Sequence, residues 1–391
     1  MLISNQKDLF DIPDDLIYLN CAYMSPSLKS VTEAGLKGVS RKKSPWKIEA
    51  ENFFDEAEIA RGLFAKIIGA TSNDIAIIPS VSYGVGIASL NLPIKSGNSV
   101  VVMEDQFPSN YYGWFEKTKN VGANLVVSKR RKDQSITESL INQIQSNTSV
   151  VAIPNCRWTD GAIIDIQSVS ERCRHVGSTI VLDLAQSAGV LPISISDIDP
   201  DFIIAPSYKW LLGPYSLTFI YIAPRWQGGV PLEHNWINRS HSEDFSNLIN
   251  YKKDFQTGAR RFDVGERSNF AIMPMVITAF KQILEWKIQN VNETLAQLTN
   301  SIGEYAENIG LKVYPPEMRV DHLIGIRFPY GIPNSLIEKL KEKNVYVSIR
   351  GNSMRISPYL YNSIDDIERL FEILKIELNS NYNSSKKNNV C

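Results

Sequence analysis

Two residues of this 391-residue chain stand where chemistry could be done. Asp183 closes the apolar run 179–182, and Lys209 follows the apolar run 202–205; each run has the length of a buried strand. A charged group at the end of such a strand needs water or a partner. If the two strands lie parallel in one sheet, the acid and the lysine share its C-terminal edge, where open α/β folds place their ligands. The pair suits one chemistry well. A lysine amine can hold an aldehyde cofactor as a Schiff base, and a carboxylate can keep a pyridine nitrogen protonated, which is what pyridoxal 5′-phosphate requires. Each residue alone also has a plainer reading, Asp183 as the cap of a helix starting near Ala185 and Lys209 as a solvated loop lysine.

The segments Asp183-x-Ala185-Gln186 and Ser207-Tyr208-Lys209-Trp210 resemble the class V aminotransferase family of fold-type I pyridoxal phosphate enzymes, which includes cysteine desulfurases, isopenicillin N epimerase and kynureninase. The resemblance recurs in order from about residue 18 to residue 370. It implies that Lys209 forms the Schiff base and then shuttles protons at the substrate Cα. It assigns Asp183 to the pyridinium nitrogen, a charge-assisted bond that would depress the acid's pKa. Gln186 would meet the ring hydroxyl, and Ser207 and Tyr208 would donate to the cofactor phosphate. The Ser-Tyr-Lys order is similar to kynureninase, whereas glutamine at 186 is similar to the desulfurases.

Other positions follow from local chemistry joined to the same resemblance. The turn 79–84 leads from a strand into a helix, whose first N–H groups and positive dipole end attract anions. The family places phosphate contacts there on the equivalents of Val81 and Ser82; the plain alternative is a serine N-cap. Phe107, in Phe107-Pro108-Ser109-Asn110, could stack on the pyridine ring, as its kynureninase and epimerase equivalents do, or could be a core phenylalanine. Trp158 falls where desulfurases carry a cofactor-contacting asparagine, which leaves Thr159 as the substitute. In Arg261-Phe262-Asp263-x-Gly265-Glu266, which resembles a segment presented to the neighbouring subunit's phosphate, Glu266 replaces a threonine, so a contact there must use backbone N–H groups such as that of Gly265. Arg355 matches the family's carboxylate-binding arginine, whose planar guanidinium can grip an α-carboxylate through two parallel bonds; Arg350 is a neighbouring candidate. Asn20 and Ala22 match an N-terminal element that touches substrate, and Cys21 lies between them.

A competing signal is Gly84-Val-Gly86-Ile-Ala-Ser89 with Glu104 about 20 residues on, which begins like a dinucleotide fingerprint but has serine at its third position. Composition bounds the rest. With 41 basic and 42 acidic residues the net charge is −1, which offers no bulk electrostatic hold on nucleic acid or membrane. No secretion signal and no 18-residue apolar run is present, and the four cysteines, at 21, 156, 173 and 391, show no paired spacing. A cytoplasmic setting is expected. The four histidines lack zinc-ligand spacing, so no metal site is expected.

These residues need a scaffold of alternating strands and helices. Apolar runs predict strands at 75–78, 99–103, 124–128, 150–154, 179–182, 202–205 and 215–223, with a helix at 138–144 between two of them. Such alternation predicts a mostly parallel sheet covered on both faces. Helices are expected from Ser25-Pro26, across 46–68, and as one long segment over 270–291; the stretch 225–260 reads as loop. Beyond it, strands near 322–327 and 346–349 and helices at 335–343 and 364–378 predict a second domain. The expected organisation is an arm (1–22), a large cofactor domain (23–258), a small α/β domain (259–378) and a disordered tail (379–391). By resemblance the enzyme is a homodimer with sites at the subunit interface, acting on an amino acid as its small-molecule substrate. A persulfide-forming desulfurase needs a cysteine on a small-domain loop, and none lies between Cys173 and Cys391. The expected reaction is therefore cleavage of an amino-acid side chain (carbon–sulfur, carbon–selenium or kynureninase-like) without a catalytic cysteine; transamination and epimerisation follow, and a non-catalytic pyridoxal phosphate-binding protein or a nicotinamide enzyme is the alternative of another class.

Overall fold

The computed structural model describes residues 1–130 and 134–388, with 379–388 described by backbone alone. In chain order the strands are β1 (Ile17–Tyr18), β2 (Ile75–Ile78), β3 (Ser99–Met103), β4 (Asn124–Ser128), β5 (Thr148–Pro154), β6 (Thr179–Asp183), β7 (Phe202–Pro206), β8 (Thr218–Ile222), β9 (Ile324–Arg327), β10 (Val345–Tyr346), β11 (Ser348–Arg350) and β12 (Ser353–Ile356). The α-helices are α1 (Lys29–Ser40), α2 (Asp55–Ile68), α3 (Val81–Asn91), α4 (Ser109–Val121), α5 (Ile136–Gln143), α6 (Ile166–Val176), α7 (Ile195–Ile198), α8 (Ile272–Trp286), α9 (Ile288–Asn308), α10 (Leu336–Glu342) and α11 (Ile364–Asn388).

The chain forms two compact units, one of residues 27–155 and 164–285 and a smaller one of residues 1–26, 156–163 and 286–391. The larger unit is built on a seven-stranded sheet in the order β2-β8-β7-β6-β5-β3-β4. β4, β3, β5, β6 and β7 run parallel, while β8 is antiparallel to both its neighbours. Every residue of β2, β3, β7 and β8 is buried. That is why these strands read as unbroken apolar runs: a sheet covered on both faces leaves no side for polar alternation. The register sets Asp183 opposite Pro154 on β5 and Ile204 on β7, so the acid ends its strand in the middle of the sheet's C-terminal edge. α3 packs close on this sheet because Gly84 has no side chain; a Cβ there would meet Ile78 Cδ1 at 2.9 Å and Ile204 Cγ2 at 3.0 Å. The first glycine of the apparent dinucleotide fingerprint is thus a packing glycine.

In the smaller unit β11, β12 and β9 form an antiparallel sheet, and β1 pairs in parallel with β10. The segment 156–163 joins it through Gly161, which has φ 76° and lies so close to Leu323 that a Cβ would meet its carbonyl oxygen at 2.2 Å. Only glycine accepts both conditions.

Several expected boundaries move. Ser25-Pro26 does not start a helix: α1 begins at Lys29, with Leu28 at its N-cap. Residues 45–53 form short 3-10 turns before α2. The single helix expected over 270–291 is two, because Lys287 takes φ 64° and ends α8 before α9 begins. Residues 259–285 group with the larger unit, where Asp263 is ion-paired to Arg61 of α2. The tail expected at 379–391 falls on residues whose side chains, and from 389 whose backbone, lie outside the described part. No helix among the described residues is long and apolar enough to cross a membrane.

Candidate active site

In the larger unit Asp183 is 6% exposed, and its Oδ1 accepts the Ala185 N–H at 2.9 Å. Residues 185–190 are turns, so no helix begins there for the acid to cap. Burial pushes the Asp183 carboxyl above its ordinary range, opposed by the Ala185 N–H and the charge of Lys209. The depression expected of a pyridinium partner is thus not produced by the chain's own groups. Among the described residues no ion pair within 4 Å involves Asp183.

Lys209 is buried, and its Nζ stands 5.5 Å from the ring centroids of Phe107 and of Tyr208. Phe107 is 40% exposed, so it is not a core phenylalanine; its ring lies beside the amine. Tyr208 packs edge-on against Tyr215 with centroids 4.7 Å apart. The Gln186 Oε1 accepts from Trp210 Nε1 at 3.0 Å, which orients the carboxamide. Ser207 departs from expectation. Its side chain is fully buried and its one hydroxyl hydrogen serves the carbonyls of Pro214 (2.6 Å) and Leu217 (2.9 Å), leaving no donor for a phosphate.

At the start of α3, Ser80 is the N-cap, accepting the Tyr83 N–H at 3.2 Å. The serine-cap alternative therefore applies to Ser80 and leaves Ser82 outside it; the exposed Ser82 hydroxyl lies 3.0 Å from that of Ser80. Val81 and Ser82 occupy the first turn, whose N–H groups have no carbonyl of the helix to serve. The Gly265 N–H is engaged within its own chain, donating to Glu233 Oε2 at 2.8 Å. Its segment is anchored by a group the sequence did not flag. Asp263, fully buried, bonds Arg61 at 2.7 Å, contacts Arg267 at 3.0 Å and accepts the Ile77 N–H at 2.6 Å. An arginine on an otherwise apolar helix face, as at Arg61 of α2, is the signal that could have shown it.

In the smaller unit the N-terminal strap meets β12 and the residue beyond it. Asn20 bridges Ser357, the Cys21 N–H donates to the Ser357 carbonyl at 3.0 Å, and the Ala22 N–H to its Oγ at 3.0 Å. Asn20, Ala22 and Arg355 are thereby brought together although more than 330 positions separate them. Arg355 is 1% exposed; its Nη1 donates to the Trp158 carbonyl at 2.9 Å and its Nε has no hydrogen-bond partner. Among the described residues no carboxylate pairs with it. Burial, then the neighbouring Arg350, push its pKa down to about 9. Thr159 also belongs to this unit, half-buried between Trp158 and Asp160.

Asp183 ends β6, Lys209 lies three residues beyond the adjacent parallel β7 and beside the Phe107 ring, and the fold is that of the fold-type I pyridoxal phosphate enzymes. The family model for aminotransferase class V matches residues 37–370, and the chain belongs to that family. It is 24% identical to an uncharacterized aminotransferase, YcbU, of Bacillus subtilis (strain 168), over 81% of this chain and 83% of that one. It is 22% identical to the kynureninase of Geobacillus thermodenitrificans (strain NG80-2), over 87% of this chain and 81% of that one. The cystine C–S lyase C-DES, solved with its product cysteine persulfide, superposes with TM-score 0.82 at 16% identity, covering 93% of this chain and 98% of that one. A mutant of C-DES carrying glycine covalently linked to its pyridoxal phosphate superposes with TM-score 0.83 at 16% identity, covering 95% and 99%. The match to this family overturns the nicotinamide alternative.

Proposed function

We propose that this enzyme cleaves the side chain of an amino acid, at a carbon–sulfur or comparable bond, without a cysteine nucleophile. The carrying observation is that residues 286–378 of the smaller unit hold no cysteine and that Cys21, Cys156 and Cys173 are buried, so among the described residues no thiol is offered as a nucleophile and the proton transfers fall to Lys209. Similarity to C-DES and to kynureninase supports the reading.

Bound pyridoxal phosphate supplies a ring that accepts electron density from the substrate Cα. Asp183 would hold the proton on the ring nitrogen, and its burial would keep that charge pair out of water. Phe107 would stack on the ring, Gln186 would meet its hydroxyl, and Tyr208 with the α3 start at Val81 and Ser82 would take the phosphate. Lys209 would hold the cofactor aldehyde and would take and return the proton at the substrate Cα; a buried amine suits both duties. Arg355 receives the substrate carboxylate, filling the Nε that no protein group serves, with Asn20 and Ala22 beside it. Thr159 is retained as a cofactor contact by alignment alone. Action as a homodimer is what the family resemblance implies. Transamination is the second reading, favoured by the name of the Bacillus subtilis relative.

The test uses purified holoenzyme, a pool of L-amino acids that includes cysteine conjugates and kynurenine, and no keto acid. Loss of one amino acid with the cofactor retained as pyridoxal phosphate is the expected result. Accumulation of pyridoxamine phosphate by mass spectrometry would replace side-chain cleavage by transamination.

A further inference from the structure

Arg355 is not alone on its face of the smaller unit. β11 and β12 form a hairpin in which Arg350 is opposite Ser353 and Ser348 opposite Arg355. Residues directly opposite share a face, as do residues two apart along a strand, so Arg350 and Arg355 project from the same side. Diagonal neighbours of this kind lie about 7–8 Å apart at the backbone, within reach of long side chains. The hairpin is closed by two residues, the first of which, Gly351, takes φ 54°, a conformation that fixes the register rather than letting it slip.

Both guanidinium groups address Trp158. Arg355 Nη1 holds its carbonyl at 2.9 Å, and the Arg350 Cζ stands 5.9 Å from its ring centroid. Arg350 spends Nη1 on its own strand, at the Ile349 carbonyl (2.8 Å). Among the described residues neither arginine is ion-paired to a carboxylate, and the charge of Arg350 weighs on Arg355. Two like charges on one face, one of them almost fully buried, are costly unless something anionic joins them. By contrast, Arg327 of the adjoining β9 is paired with Asp160 at 3.2 Å.

We propose that Arg350 and Arg355 form a seat for a substrate with two acidic groups, Arg355 taking the α-carboxylate and Arg350 an acidic group on the side chain. The assignment of Arg355 rests on the function proposed above; that of Arg350 adds a substrate class, amino acids with a carboxylate, sulfinate or comparable anionic side chain.

Calorimetric titration of the holoenzyme with succinate and with butyrate tests the seat, since neither has an amine to react. Succinate should bind at least roughly ten-fold tighter, in keeping with one further charge-assisted contact. Arg350→Gln should close that gap and leave butyrate unchanged, whereas Arg355→Gln should weaken both. Equal affinity in the native enzyme, or a gap that survives in Arg350→Gln, would overturn the seat. A parallel titration with aspartate and asparagine, followed by the cofactor's absorption, separates the two readings. A succinate preference with no spectral response to any amino acid would sink the proposed function and leave the seat standing; a response to asparagine without that preference would do the reverse.

Discussion

Asp183 and Asp263 are both buried acids of the larger unit, and they live by opposite rules. Asp263 is met by Arg61, Arg267 and the Ile77 N–H, so its charge is neutralised within the chain. Burial tends to lower the pKa of Arg61, but the charges of Asp263 and Glu58 outweigh it and raise the value. Asp183 has one backbone N–H and a carboxyl pushed up by burial. A buried charge that the protein satisfies holds the fold; one that it leaves unsatisfied is a candidate for a ligand. Arg355 in the smaller unit follows the second rule.

Replacing a residue of the second kind should therefore cost function and spare stability. The largest expected effect is on turnover: Lys209→Ala should lower it by about 10⁴-fold, the upper range for a lost general base. Turnover within roughly ten-fold of the native enzyme would remove Lys209 from the chemistry. Next comes Asp263→Ala, which strands two buried arginines and should cost about 3–5 kcal/mol in denaturant unfolding. If it proved as stable as the native chain, the first rule would be wrong.

Arg355→Gln should weaken binding of carboxylate ligands by roughly 10–100-fold while leaving the ligand-free protein no less stable. The pH dependence carries the sign. The folded-state pKa of Arg355 is lowered to about 9, so the cost of burying its cation is present below that pH and is relieved above it. Carboxylate affinity of the native enzyme, measured by titration, should fall as pH rises past about 9. The smallest effect is a gain: Asp183→Asn should raise the midpoint of the cofactor-free protein by about 2 °C at neutral pH. The folded-state pKa of this acid is raised, so the native protein loses stability as pH climbs above the ordinary carboxyl value. The difference between variant and native should vanish when both forms of the acid are protonated, below about pH 4.

Much of the scaffold could be read from the sequence because burial on both faces writes itself as apolar runs. β2 and β3 fall at the expected residues for that reason; β4 does so too, although as an edge strand it is only partly buried. The break between α8 and α9 left no such trace, since Lys287 is neither glycine nor proline and only tertiary packing holds it at a positive φ. Asp183 and Lys209 could be singled out because the one ends an apolar strand with a charge and the other follows one within three residues. Ser207 misled: its type suits a phosphate donor, but two carbonyls later in the chain claim its hydrogen. Gly265 misled likewise, through Glu233. Arg350 was visible as a charge; its place beside Arg355 on one face needed the hairpin register.

The bond between Ala22 and Ser357 has a consequence for how the molecule is made. A chain leaves the ribosome from its N-terminus, and domains fold as their residues emerge. The larger unit is complete once residue 285 is out, and the eight residues 156–163 that it loops out are its one interruption. The first 26 residues, synthesised before all of it, find their β-pairing partners only at 345–346 and 357. Pairing of the N-terminal strap thus waits until nearly the whole polypeptide exists, so a prematurely terminated chain can fold a cofactor scaffold but cannot assemble Asn20, Ala22 and Arg355.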